Sequence, residues 1–266
     1  MIESFFTKMM AETAWMMEPP KPYGSFHLAF FFFGFMLSAF AAYRLRNISE
    51  RGCRRVVFSV GLFLLFIEVY KQCFYYFYIG EGEYPWWVFP FQLCSVPMYL
   101  CLIAPLLKPG RLQKGMYYFL VYYNMLGGIA AYLEPSGMIS DYLALTLHSF
   151  SWHLSLVFLG MFLIATGNCG LKLRDYFSAT GCYLVLCVIA FSLNLILRKP
   201  SGGSINMFFI GPNVSPLIVI RDIGARFGWY VGTAVYIPAV CLGAFVVFSV
   251  IRFAKKRLAK KRLEKY

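Results

Sequence analysis

Seven apolar runs, each long enough to cross a bilayer, decide what this chain can fold into. A hydrocarbon core about 30 Å thick needs roughly 20 residues of helix. Runs of that order extend from Gly24 to Tyr43, Val56 to Tyr78, Trp86 to Leu107, Gly115 to Leu133, Tyr142 to Thr166, Tyr176 to Leu197 and Phe227 to Ile251. With 60% hydrophobic and only 14% charged residues, the chain has too little polar surface for a soluble globule. The expected fold is all-α: a polytopic membrane protein built as a bundle of seven transmembrane helices. Residues 1–23 form an N-terminal outer segment, 24–251 the membrane domain and 252–266 a basic cytoplasmic tail. The N-terminal segment is too mixed in charge for a cleavable leader, so the first membrane helix is expected to direct insertion. A further apolar stretch, Ser204 to Ile220, is broken by Gly211, Pro212 and Pro216. It lies in the outer connection from Arg198 to Arg226, which is expected to fold over the outer face or dip into it, as a lid would.

Orientation follows from Lys and Arg. With the N-terminus outside, eighteen basic residues fall on the inner side: Arg44, Arg46, Arg51, Arg54 and Arg55, then Lys108, Arg111 and Lys114, then Lys172 and Arg174, and finally eight from Arg252 to Lys265. Six fall outside: Lys8, Lys21, Arg198, Lys199, Arg221 and Arg226. The chain is therefore expected to run N-out, C-in, in the cell membrane. Its net charge of +13 points to lipid phosphates rather than nucleic acid, since no basic groove with interleaved aromatics is present.

Eight cysteines fall mostly inside apolar runs and none is spaced CxxC, so neither a disulfide framework nor a metal centre is expected. Cys94 differs by its setting, between Pro90 and Pro97, which are expected to kink the third helix. At about 1.5 Å of rise per residue, Gln92 and Cys94 lie about 9 and 12 Å below the outer end of that helix, and His148 and His153 about 9 and 16 Å below that of the fifth. The same rise puts Lys71, Asn124 and Glu68 about 10, 13 and 15 Å down. Polar groups from four helices share one level, where ionisable side chains face a bundle interior or a wet cavity. Glu68 and Lys71, three apart, can neutralise one another. His148 is rotated about 140° from His153 at ~100° per residue, so the two do not point at one atom. His27 is expected at the outer interface. A thiol beside an imidazole suits acyl transfer through a thioester, with Gln92, Asn124 or Asn206 as oxyanion donors. The same polar level also fits a small transporter or channel in which Glu68, Lys71 and His153 line the path, or a non-enzymatic receptor or assembly factor.

Several segments carry a family resemblance. Tyr23-Gly24 with His27, Glu68-Val69-Tyr70-Lys71, Phe89-Pro90-Phe91-Gln92-Leu93-Cys94, His153 followed by Val157-Phe158-Leu159-Gly160, and Asn206-Met207-Phe208-Phe209 with Pro212 resemble the bacterial YwaF-like integral membrane proteins. These are grouped with the transmembrane acyltransferase family whose animal member transfers acyl chains onto ether lysophospholipids. The resemblance implies a nucleophile at Cys94, a histidine base at His153, phospholipid or lysophospholipid substrates and no cofactor. Many relatives carry His where this chain has Gln92, so His153 is left to act as the base.

Overall fold

A computed structural model describes residues 2–263 other than Val214. Lys265, counted above in the basic tail, lies outside them. The regular structure among the described residues is helical: α1 (Ile2–Ala11), α2 (Ser25–Arg44), α3 (Glu50–Cys73), α4 (Val96–Ile103), α5 (Arg111–Leu133), α6 (Leu143–Ala165), α7 (Leu173–Ile196), α8 (Ile218–Phe227) and α9 (Trp229–Leu263), with a few 3-10 turns and one isolated bridge, Met16 to Tyr142. A π-helical stretch, Phe74–Ile79, continues α3.

Five helices are long and apolar enough to cross a membrane: α2, α3 with its continuation, α6, α7 and α9. Only 22% of the most apolar stretch of α2 is buried, so its phenylalanines have lipid as their natural solvent. α5 has 23 residues but a different role. Helices α6, α7 and α9 all pack on it, and Phe119 to Asn124 are buried without a break. A helix enclosed by other helices needs no lipid-facing stripe, which explains the tyrosines and amides that lower its hydropathy. Close approach to α6 depends on glycine: a Cβ on Gly128 would meet the His153 carbonyl oxygen at 3.2 Å, and one on Gly160 would meet Met125 Sδ at 2.7 Å.

The expected third span, Trp86 to Leu107, is not one helix. After a 3-10 turn at Trp86–Val88, Phe89 is extended (φ −49°, ψ 132°), as sterics demand of a residue before proline. α4 begins only at Val96 and carries Pro97 in its first turn, where a missing N–H costs nothing. Pro90 thus prevents a helix and Pro97 starts one; neither kinks a continuous one. The depths expected for Gln92 and Cys94 from helical rise do not apply.

Irregular backbone within such a bundle must find partners inside the protein. The stretch from Pro90 to Cys94 finds them in Tyr99, whose hydroxyl donates to the Pro90 carbonyl (2.8 Å), and Trp152, whose indole Nε1 donates to the Cys94 carbonyl (2.9 Å). The connection after α7 also enters the core: Ile205, Met207, Phe208 and Ile210 are at most 1% exposed. Phe208 and Phe209 take left-handed φ of 56° and 57° there. Asn194 holds this turn by accepting from Met207 N (2.6 Å) and donating to Met207 O (3.0 Å).

His27, expected at the interface, is buried, with Nε2 3.0 Å from the Tyr132 carbonyl oxygen and Nδ1 accepting from Tyr23 N. At one end of the bundle, Arg54 on α3 donates to the carbonyls of Pro105 and Leu107, and Lys255 on α9 donates to Ile164 O at the close of α6. Cys53 of α3 meets Thr166 and Asn168 there. The start of α3, the ends of α4 and α6 and the basic end of α9 therefore share one side.

Candidate active site

The polar centre begins with the last turns of α3. Glu68 is 4% exposed at its side chain and pairs through Oε1 with Lys71 Nζ at 2.8 Å, the neighbour that a three-residue helical step provides. Gln72 donates to the same Oε1 (2.6 Å) and to the Val88 carbonyl (2.8 Å), fastening α3 to the turn before Pro90. Tyr84 donates to Gln72 Oε1 at 2.7 Å. Burial and then the Glu68 charge push the Tyr84 phenol up to about 12, so it keeps its proton and stays a donor. Glu68 Oε2 is buried and has no hydrogen-bond partner among the described residues.

Cys94 lies just ahead of α4, whose N-cap is Ser95. Its thiol is within reach of the Ser95 hydroxyl, and Lys71 and Glu68 are its charged neighbours. It packs with Tyr99 against Leu64, Met98, Trp152 and Leu156. His148 stacks on Trp152 with centroids 5.5 Å apart, and its buried Nε2 has no hydrogen-bond partner among the described residues. His153 Nδ1 is 2.8 Å from the Ser149 carbonyl oxygen. A carbonyl only accepts, so Nδ1 carries the proton and Nε2 is left as the basic nitrogen. Lys71 is a charged neighbour of His148 and His153 as well as of Cys94. The thiol and both imidazoles thus share the field of one ammonium, and no hydrogen bond among the described residues joins Cys94 to His153.

Two cavities flank this centre. A polar one of about 430 Å³ is lined by Lys71, Trp87, Asp141, His148 and Ser149. An apolar groove of about 530 Å³ runs between α4, α5 and α7, from Phe91 and Tyr99 past Gly181 and Val185 to Arg111. Cys94 lines neither, but Tyr99 connects it with the groove and Trp152, through His148, with the polar cavity.

A model of the TMEM164 family matches residues 22–254. The chain belongs to the TMEM164 family. No curated protein and no solved structure matches it. The TMEM164 match takes in Cys94, His153 and all of α2 to α8; α1 and the end of the basic tail fall outside it.

The amides expected as oxyanion donors have structural tasks in this TMEM164-family chain. Gln92 donates to Asn206 O (3.0 Å) and accepts from Phe208 N (2.9 Å), tying the loop ahead of Cys94 to the connection after α7. Asn124 donates to the carbonyls of Leu120 and Leu156, and Asn206 accepts from Gly211 N. Trp152, Gln72 and Asn194 are the residues that spacing alone did not single out. Each has at least one main-chain partner, the Cys94 carbonyl for Trp152, the Val88 carbonyl for Gln72 and both polar groups of Met207 for Asn194, which residue type does not reveal; a lone amide in an apolar run is the signal that was there for Asn194. Among the described residues no group of three or more His, Cys, Asp or Glu side chains is placed to hold a metal ion.

Proposed function

We propose that this protein is a membrane-embedded acyltransferase that moves fatty acyl chains between phospholipids through a thioester on Cys94. The observation that carries the reading is the position of Cys94: just ahead of α4, with Lys71 as a charged neighbour, and linked through Tyr99 to the apolar groove and through Trp152 and His148 to the polar cavity. A helix N-terminus and a cation are the surroundings a reactive thiol requires. The polar cavity suits a glycerophosphate headgroup and the groove an acyl chain, which brings the ester between them to the thiol.

In the first half-reaction His153 Nε2 takes the thiol proton and the sulfur attacks the ester carbonyl. The C–O bond breaks, the departing lysophospholipid oxygen takes the proton back, and the acyl group stays on sulfur. A second lysophospholipid hydroxyl then gives its proton to His153 and attacks the thioester; the C–S bond breaks, the acyl group leaves on the lipid oxygen, and the Cys94 sulfur takes the proton from His153, which restores the thiol and the neutral imidazole. The chain is read as seven membrane segments with α4 as a half-length one, N-out and C-in, in the cell membrane. The chemistry is tested on purified full-length protein in phospholipid. Cys94 is expected to carry an acyl group removable by neutral hydroxylamine, and Cys94→Ser to lose most acyl exchange because an alcohol ionises far less readily than a thiol. Normal acyl exchange by Cys94→Ser would overturn the mechanism.

A further inference from the structure

The apolar groove between α4, α5 and α7 holds a glycine that packing does not require. Glycine inside a helix costs stability relative to alanine, so a helix keeps one where a side chain would collide. Three glycines of the membrane domain answer to that: a Cβ on Gly34 would meet Leu154 at 2.9 Å, one on Gly61 would meet Cys101 at 2.9 Å, and one on Gly115 would meet the Ser178 hydroxyl at 2.8 Å. Gly181, well inside α7, would meet nothing within 4 Å. Gly127 of α5 is open in the same way but lines neither the groove nor the polar cavity. The space in front of Gly181 is the groove itself, of about 530 Å³.

That space opens towards lipid. α7 is one of the helices long and apolar enough to cross a membrane, and Ile103, Val185 and Ile189 along the groove are exposed. An empty groove forfeits dispersion contacts along its whole length, and the apolar material around a membrane helix is the acyl chain of a lipid. The direction of such a chain follows from the helices. α4 runs from just after Cys94 to the side where α6 also ends, and α7 starts from that side, shortly after α6. A chain that begins near Cys94 and follows α7 therefore passes Ile189 and Val185 before Gly181. Ile189 and Gly181 are eight residues apart, about 12 Å of helix rise, so only a long chain reaches Gly181. We propose that the fatty acyl chain used in transfer lies in this groove with its far part against Gly181, which thereby sets how long a chain is accepted; the role in transfer rests on the acyltransferase reading, the seat of the chain does not.

The test has one arm that needs no catalysis. Full-length protein in detergent micelles receives a trace of phosphatidylcholine with a diazirine near the end of one palmitoyl chain, and labelled peptides are mapped after irradiation. Labelling is expected to concentrate on residues 178–189 and 111–116, above the lipid-exposed Phe32 and Phe33. Gly181→Leu should lower it on the order of tenfold, the cost of overfilling an apolar site. Val188→Leu, at a position 67% exposed and outside the groove, should leave it unchanged. Because leucine is the better helix former and meets open space, Gly181→Leu should unfold at or above the wild-type temperature. In the second arm, acyl exchange in phospholipid, Gly181→Leu should slow palmitoyl transfer relative to octanoyl transfer by about tenfold. Labelling spread evenly over exposed faces, labelling indifferent to Gly181→Leu, or a groove left unlabelled because a second copy covers it overturns the seat of the chain, even where wild-type protein exchanges acyl groups. An unchanged palmitoyl-to-octanoyl ratio overturns the role in chain length. Groove labelling in a wild-type protein without acyl exchange instead overturns the acyltransferase reading and leaves a lipid-binding groove.

Discussion

The Lys71 charge acts on Cys94, His148 and His153, and it is answered by Glu68 at 2.8 Å. Removing one partner of a buried pair strands the other, so Glu68→Leu should lower stability by about 3 kcal/mol, measured by thermal unfolding in detergent. Replacing both residues by apolar ones should cost much less than the sum of the single changes. The same variants bear on function: loss of solute flux on Glu68 substitution, with Cys94→Ser silent, would favour the transport reading over acyl transfer. The Glu68–Lys71 pair was legible in sequence because a step of three on a helix has one geometric outcome. The contact of Trp152 with the Cys94 carbonyl was not, because its acceptor is backbone and its register depends on a loop. Gln92 misled for a related reason: an amide near a nucleophile invites a catalytic role, and here both ends of it secure main chain.

At the level of elements, apolar length predicted α2, α5, α6 and α7 close to their observed ends, missed the start of α3 and the basic extension of α9, and failed at α4. Hydropathy reads a run of apolar residues as a span, whereas Pro90 and Pro97 act on backbone geometry that hydropathy does not contain. The connection after α7 shows the opposite case, since its glycine and prolines marked a break but not where the broken chain goes. Its place in the core depends on Asn194 holding both polar groups of Met207. Asn194→Ala strands two buried backbone groups and should cost about 2–4 kcal/mol. Hydrogen exchange should then rise first across residues 205–210, ahead of α5 and α6. Equal exchange in both proteins would mean that packing of Phe208 alone holds the turn.

For the whole molecule, the bundle end shared by the start of α3, the ends of α4 and α6 and the basic end of α9 is also where the sequence concentrates Lys and Arg. That end is expected to face the cytoplasm. A membrane-impermeant maleimide applied to intact cells should therefore label Glu12→Cys, whereas Lys260→Cys should react only after the membrane is opened; the reverse pattern would invert the orientation. The tie between the Pro90–Cys94 loop and the connection after α7 carries a further consequence, for biogenesis. Gln92 bonds main chain 114 and 116 residues downstream. While a ribosome is still making α5 and α6, those partners do not exist. The segment bearing Cys94 enters the bilayer as an unfinished half-helix, and the thiol's surroundings are completed only when nearly four-fifths of the polypeptide has been synthesised.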